Sequence, residues 1–215
     1  MNTWNDSETD YFIGVDLGQS HDPTAIAVIE REKLFVRETA KGKLELKETS
    51  YNLRHLERRP LGESYVLQVA YVASLLRRPP FRDRVPVYID YTGVGRPVFD
   101  LFEDARVPGV IGVTITGGKE IKPSKVGVTV PKVTLVSKVQ AELHAGRLKI
   151  SGKLPDAPVL VKELQDFRVS YTQAGNATFN AREGAHDDLV LALAIALFGA
   201  TQPQPAMDIN IRMAF

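Results

Sequence analysis

Two short apolar runs, YFIGVD (Tyr11 to Asp16) and VPVYID (Val85 to Asp90), each stop on an aspartate. Runs of that length, bounded by Gly, Asp and Pro, read as buried strands. A strand without polar alternation has to be covered on both faces. The chain therefore needs a sheet with covered faces, and acids stand at the ends of its buried strands.

The neighbouring segments fill in that plan. A polar loop, LGQSHDP, follows Asp16 and leads into TAIAVIER, Thr24 to Arg31. Lys33 to about Arg54 alternates apolar and charged residues, as a half-exposed strand does, so the first three strands read as an antiparallel meander. The period then changes. Val66, Val69, Ala70, Ala73 and Leu76 fall at helical spacing between Glu63 and Arg77, ahead of Pro79 and Pro80. YTGVGRP makes a glycine-rich turn into a helix, Val98 to Ala105, with Thr92, Gly93 and Gly95 shaping the turn. A strand over Val110 to Thr116 and a helix over Lys132 to Ala145, stopped by Gly146, come next. A short strand at Leu148 to Ile150, a helix near Val159 to Phe167, a hairpin over Arg168 to Asn180 and a helix from Asp187 to about Phe198 complete the order. The expected fold is α/β, with a mixed central sheet whose first three strands are antiparallel and helices on both faces. One domain over 11–200 is expected, with a flexible leader over 1–10 and an irregular tail over 201–215.

Composition narrows the chemistry. Apolar residues make up 44% of the 215 and charged residues 25%, ordinary values for a globular domain. Cysteine is absent, which excludes a thiol nucleophile, a thiolate-bound zinc and disulfides. The N-terminus has neither the basic start nor the apolar stretch of a signal peptide. The longest apolar run, Leu189 to Ala200, is too short to cross a bilayer. A cytoplasmic protein with no membrane partner is expected. The formal net charge is only +1, so contact with a polyanion has to come from local clusters or bound cations.

Acids recur at element ends: Asp16 and Asp90 close strands, Asp22 lies in the first loop, and Asp187 and Asp188 open the last helix. Each has a plain alternative. Asp16 and Asp22 could be turn formers, and Asp187 could be a helix cap. Capping accounts for one of the adjacent acids and leaves the other unexplained. Carboxylates gathered in one pocket repel unless a cation compensates them. Hard oxygen donors suit magnesium or manganese, and two such ions can assist phosphodiester displacement. His186 could act as a base, bind metal through a ring nitrogen, or simply bond a neighbouring carboxylate. His21 reads as a solvated loop residue.

The strings GVDLGQSHDPTA, YIDYTGVGRPVFDLF and GAHDDLVLALAIAL, in that order, resemble the signature regions of the phage terminase large-subunit nuclease domain. TITGGKE, KVTLVSKVQAEL and GRLKI follow that family's order between the second and third. The resemblance spans Tyr11 to Ala200. It implies a ribonuclease H-like fold, two Mg2+ or Mn2+ ions, and cleavage of double-stranded DNA with little sequence specificity during genome packaging. It also implies a packaging ATPase domain, a portal and a small terminase subunit as partners. By motif matching, Asp16 and Asp90 take the core catalytic and metal-ligand positions. Asp187 or Asp188 supplies a third ligand, and Asp22 a ligand to the second ion. No GxxxxGK[ST] loop occurs in the chain, so it reads as an excised domain or a stand-alone relative whose role in packaging is open.

For DNA contact the sequence offers Lys119, Lys122, Lys125 and Lys132 in an extended basic segment, and the cluster Arg54, Arg58 and Arg59; as charge runs, both could equally be solvated faces. The same acid pattern would serve a Holliday-junction resolvase. A phosphotransferase of the actin and sugar-kinase type shares an Asp-Leu-Gly loop, but needs a second domain and a second Asp-X-Gly loop. A catalytically silent binding module would have no use for acids at every expected position.

Overall fold

The computed structural model describes residues 4–18, 22–37, 44–81, 85–93, 95–166, 168–171, 177–180 and 187–203. Three long strands come first: β1 (Trp4–Asp16), β2 (Ala25–Arg37) and β3 (Leu44–Arg58). They pair antiparallel along almost their whole length. The segment expected as a flexible leader is therefore, from Trp4 on, part of a strand. Its polar residues are held by cross-strand charges: Asp10 pairs with Arg31 at 2.5 Å and Glu8 with Lys33 at 3.2 Å. Hydrophobic content alone does not reveal a strand stabilised in this way. The second strand likewise runs on to Arg37, so the expected break after Arg31 does not occur. The tail beyond residue 203 lies outside the described residues.

The later elements are α1 (Tyr65–Leu76), β4 (Val87–Asp90), α2 (Gly95–Asp104), β5 (Val110–Thr116), β6 (Lys122–Ser124) and β7 (Gly127–Pro131). Then follow α3 (Lys132–His144), β8 (Leu148–Ile150), α4 (Ala157–Asp166), a separate hairpin of β9 (Arg168–Tyr171) and β10 (Ala177–Asn180), and α5 (Asp188–Thr201). The main sheet has the order β6-β7-β5-β4-β1-β2-β3-β8, with β1, β4, β5 and β7 mutually parallel. The basic segment folds as the β6–β7 hairpin at the sheet edge.

Alternation along β1 divides the core. Ile13 and Val15 face α1 and α2, whereas Phe12 faces the opposite layer of α3, α4 and α5. Helix α5 is buried along nearly its whole length, because it crosses the centre of the sheet over β1 and β2. Small residues allow that approach. A Cβ at Gly14 would lie 2.2 Å from the Ala192 carbonyl oxygen, and one at Gly199 would lie 2.3 Å from the Tyr88 ring. Gly14→Ala is expected to destabilise the domain by about 3 kcal/mol, since backbone rather than a yielding side chain stands in the way. Thermal denaturation would then fall by roughly 6–12 °C. An unchanged melting temperature would show that α5 shifts freely.

Candidate active site

Gly14 and Asp16 lie on the same face of β1, so Asp16 projects toward the α3–α5 layer. Tyr88 packs in that layer, and Asp90, two residues on, shares its face of β4. Strands β1 and β4 are adjacent and parallel, with Val15 opposite Ile89. The next residue of each strand is its aspartate, which places the two carboxyl groups side by side. Burial, then the carboxylates of Asp90, Asp188 and Asp187, push the Asp16 carboxyl well above the usual carboxylate range. Lys132 acts in the opposite sense. Burial also raises Asp90. The Thr92 N–H, which donates to Asp90 Oδ1 at 2.7 Å, works against that shift. Thr92 Oγ1 in turn accepts from the Ile115 N–H at 2.7 Å, and Gly93 takes φ +83° in the turn. The turn after Asp90 is thus tied to the end of β5.

The adjacent acids at the start of α5 diverge. Asp187 Oδ2 accepts from Lys132 Nζ at 2.7 Å. Asp188 is buried and pairs with Arg58 at 3.0 Å. Both act electrostatically on Asp16. Asp22 is exposed in the loop after β1, whose neck is closed by Thr24 Oγ1 bonding both the N–H and the carbonyl of Gly18. His186 and His21 lie outside the described residues.

All the donors are carboxylate oxygens, the set a hard divalent cation prefers. Asp16 and Asp90 stand as a pair, and Asp187 and Asp188 lie within electrostatic reach. Among the described residues, however, no three acids are set around a single point to hold a metal ion. The acids expected as ligands have distinct partners: Asp187 is paired with Lys132, Asp188 with Arg58, and Asp22 lies exposed on the loop. The donor chemistry fits a divalent ion, with Asp16 and Asp90 as its centre.

The basic residues are dispersed too. Lys119, Lys122 and Lys125 are exposed on the hairpin or the turn before it, with Lys122 paired to Glu120 at 3.0 Å. Lys132 is not one of that surface set, because its ammonium points into the site. The three arginines do not form one patch. Arg58 and Arg59 leave β3 on opposite faces, Arg58 toward α4 and α5. Arg59 pairs with Glu57 at 2.6 Å and Glu63 at 2.7 Å, its guanidinium 3.8 Å from the centre of the Tyr71 ring. Arg54 pairs with Glu30 at 2.6 Å.

One buried acid near the site was not identified from the sequence. Glu163 contacts Arg58 and accepts from the Val190 N–H at 3.1 Å. Burial, reinforced by Asp188 and Asp187, pushes it up to about 7, although Arg58 and the Val190 N–H favour its charged form. A usable signal existed. Ala157, Leu160 and Glu163 are the buried positions of α4, so an acid stands on that helix's apolar stripe.

A mixed sheet led by three antiparallel strands, with helices on both faces and acids at the ends of two central parallel strands, defines a ribonuclease H-like domain. The profile of the terminase RNaseH-like domain matches residues 13–199; the chain belongs to that family. Among solved structures it is similar to the large terminase nuclease from thermophilic phage G20c with bound magnesium (23% identity, TM-score 0.58, covering 89% of this chain and 82% of that one). The large terminase nuclease domain of Thermus phage P74-26 is comparably similar (23%, TM-score 0.57, 87% and 78%). The manganese-soaked human cytomegalovirus terminase nuclease domain shares the fold at 13% identity (TM-score 0.51, 87% and 81%). No curated protein sequence matches the chain. No helix among the described residues is long and apolar enough to cross a membrane.

Proposed function

We propose that this domain is a divalent-metal-dependent endonuclease that cuts double-stranded DNA with little sequence specificity, acting as the nuclease part of a genome-packaging terminase. The observation that carries the reading is the side-by-side placement of Asp16 and Asp90 on one face of neighbouring parallel strands, beneath the acidic start of α5. In this reading Asp16 and Asp90 are the principal ligands. Asp187 and Asp188 complete the shell from the helix, and Asp22 serves a second ion from the loop. Bound there, a pair of Mg2+ or Mn2+ ions would supply the positive charge that the carboxylates and the attacking and leaving oxygens of the phosphodiester require. The magnesium and manganese of the similar terminase nucleases support that choice. The chain's own residues do the positioning. The Thr92 N–H fixes one oxygen of Asp90, and Lys132 holds Asp187 in place and offsets part of the acid repulsion on Asp16. A packaging ATPase domain, a portal and a small terminase subunit are the partners this role implies, with the host cytoplasm as its setting.

Supercoiled plasmid incubated with Mn2+ or Mg2+ should be nicked and linearised, and chelator should stop the reaction. A four-way junction in the same assay separates this reading from a resolvase. Cleavage confined to the junction, or activity that survives chelation, would overturn the proposal.

On the hairpin, the exposed lysines are proposed to contact the DNA backbone. Neutralising Lys119, Lys122 and Lys125 should weaken binding to every sequence alike. Each phosphate contact adds about 0.9 to the slope of log affinity against log salt, so the slope should flatten by at most about three. Fluorescence anisotropy with Ca2+ in place of the catalytic metal reads this without cleavage. An unchanged slope would remove the hairpin from the binding surface.

A further inference from the structure

Helix α5 carries Asp187 and Asp188, yet its N-cap residue Asp187 makes no side-chain capping bond. Instead, the Val190 N–H in its first turn donates to Glu163 Oε2 of α4 at 3.1 Å, a buried contact from another helix. The other oxygen of Glu163 is bound by Arg58 Nη2, and the same nitrogen lies 3.0 Å from Asp188 Oδ2. Arg58 is fixed at both ends: its backbone N–H donates to Asp156 Oδ2, just before α4, at 3.1 Å.

The sheet register gives this cluster its meaning. Arg58 pairs with Ala25 of β2, and Ala25 pairs with Asp16 of β1. Arg58, Ala25, Asp16 and Asp90 therefore form one transverse row across four strands. Ala25, the small member of the row, is fully buried in the core layer that contains α5. Resting on the metal-nuclease reading above, we infer that Arg58 and Glu163 are positioning residues, a clamp that fixes the first turn of α5 over the Asp16–Asp90 pair and so sets the acids of that turn for metal binding. Glu163 holds the helix by its backbone, and Arg58 holds Asp188 by its side chain. Because one guanidinium nitrogen serves both acids, helix placement and acid placement are coupled. Asp188 is the acid held by the clamp, and Asp187 is the one left to Lys132.

The test uses Arg58→Met, Arg58→Lys and Glu163→Gln in the whole chain, with three readouts. Mn2+ binding to DNA-free protein is measured from the electron paramagnetic resonance of free Mn2+. The Mn2+ dependence of plasmid cleavage is measured in parallel, and hydrogen exchange is followed over residues 188–193. Arg58→Met should weaken Mn2+ binding and raise the half-maximal Mn2+ concentration at least tenfold. Arg58→Lys, which retains the charge, should recover part of that loss. Glu163→Gln retains an oxygen acceptor for Val190 and should give a shift of a few-fold. Exchange should accelerate in the first turn of α5 and not across the central strands. Parental Mn2+ affinity and α5 protection in all three variants would overturn the clamp. So would a general loss of stability with unaltered Mn2+ affinity in the folded fraction. If the parent itself neither binds Mn2+ nor cuts, the nuclease reading fails, and with it the metal-setting role. Local exchange would then report only whether the two residues hold the helix.

Discussion

Asp16→Asn and Asp90→Asn are expected to abolish DNA cleavage, and Asp16→Asn is expected at the same time to make the metal-free domain more stable. Asparagine keeps the shape of aspartate but lacks the charge that holds a cation, so cleavage should fall at least a thousandfold, to the background of the assay. The gain in stability has a separate cause. Asp16 is half-buried beside Asp90, with Asp187 and Asp188 near by, and desolvation and these carboxylates hold its carboxyl well above the ordinary range. Each pKa unit of such a shift corresponds to about 1.4 kcal/mol of disfavoured charge, and the amide removes that cost. In chelator at pH 8 the melting temperature should rise by roughly 2–4 °C for each kcal/mol recovered. Loss of both activity and stability would indicate that Asp16 is a structural residue. Retained cleavage in both purified variants would place the chemistry elsewhere.

Metal and pH should act on stability in opposition. A group whose folded-state pKa is raised contributes stability below its unfolded value and loses it as pH rises through the folded one. Asp16 and Asp90 are both raised, so the metal-free domain should lose stability as pH climbs above the ordinary carboxylate range. Glu163, at about 7, adds a loss of the same sign that is complete only above neutrality. A divalent ion binds only ionised carboxylates, so Mn2+ should stabilise the domain more at pH 8 than at pH 5 and should release protons on binding. At a hundredfold excess over its dissociation constant it contributes about 2.7 kcal/mol, or roughly 5–11 °C. Scanning calorimetry across pH, with and without Mn2+, measures both slopes. In Asp16→Asn the Mn2+ effect should vanish. An equal Mn2+ effect at both pH values would mean that the ion binds away from these acids.

Several features of this protein were legible in its sequence for local physical reasons. Apolar runs ending in Asp16 and Asp90 mark buried strand ends, since a continuous apolar run can be satisfied only inside a covered sheet. The helical spacing from Val66 to Leu76 places α1, although Val66 and Ala70 face solvent and Val72 and Leu75 join Val69, Ala73 and Leu76 on the buried face; the ordered motifs point to the family that the match over 13–199 shows. Charge-paired structure was not legible. Residues Trp4 to Asp10 look like a solvated leader until Arg31 and Lys33 are brought across from β2. The same limit applied at the site. Sequence presents Asp187 and Asp188 as equivalent neighbours and Arg54, Arg58 and Arg59 as one basic cluster. The fold separates them: strand alternation sends Arg58 to the face that carries Asp16, and the start of α5 turns Asp187 to Lys132 and Asp188 to Arg58. Periodicity and apolar content are properties of a segment and can be read along the chain. The partner of a buried charge is a property of register and helix placement, which only the packed sheet decides.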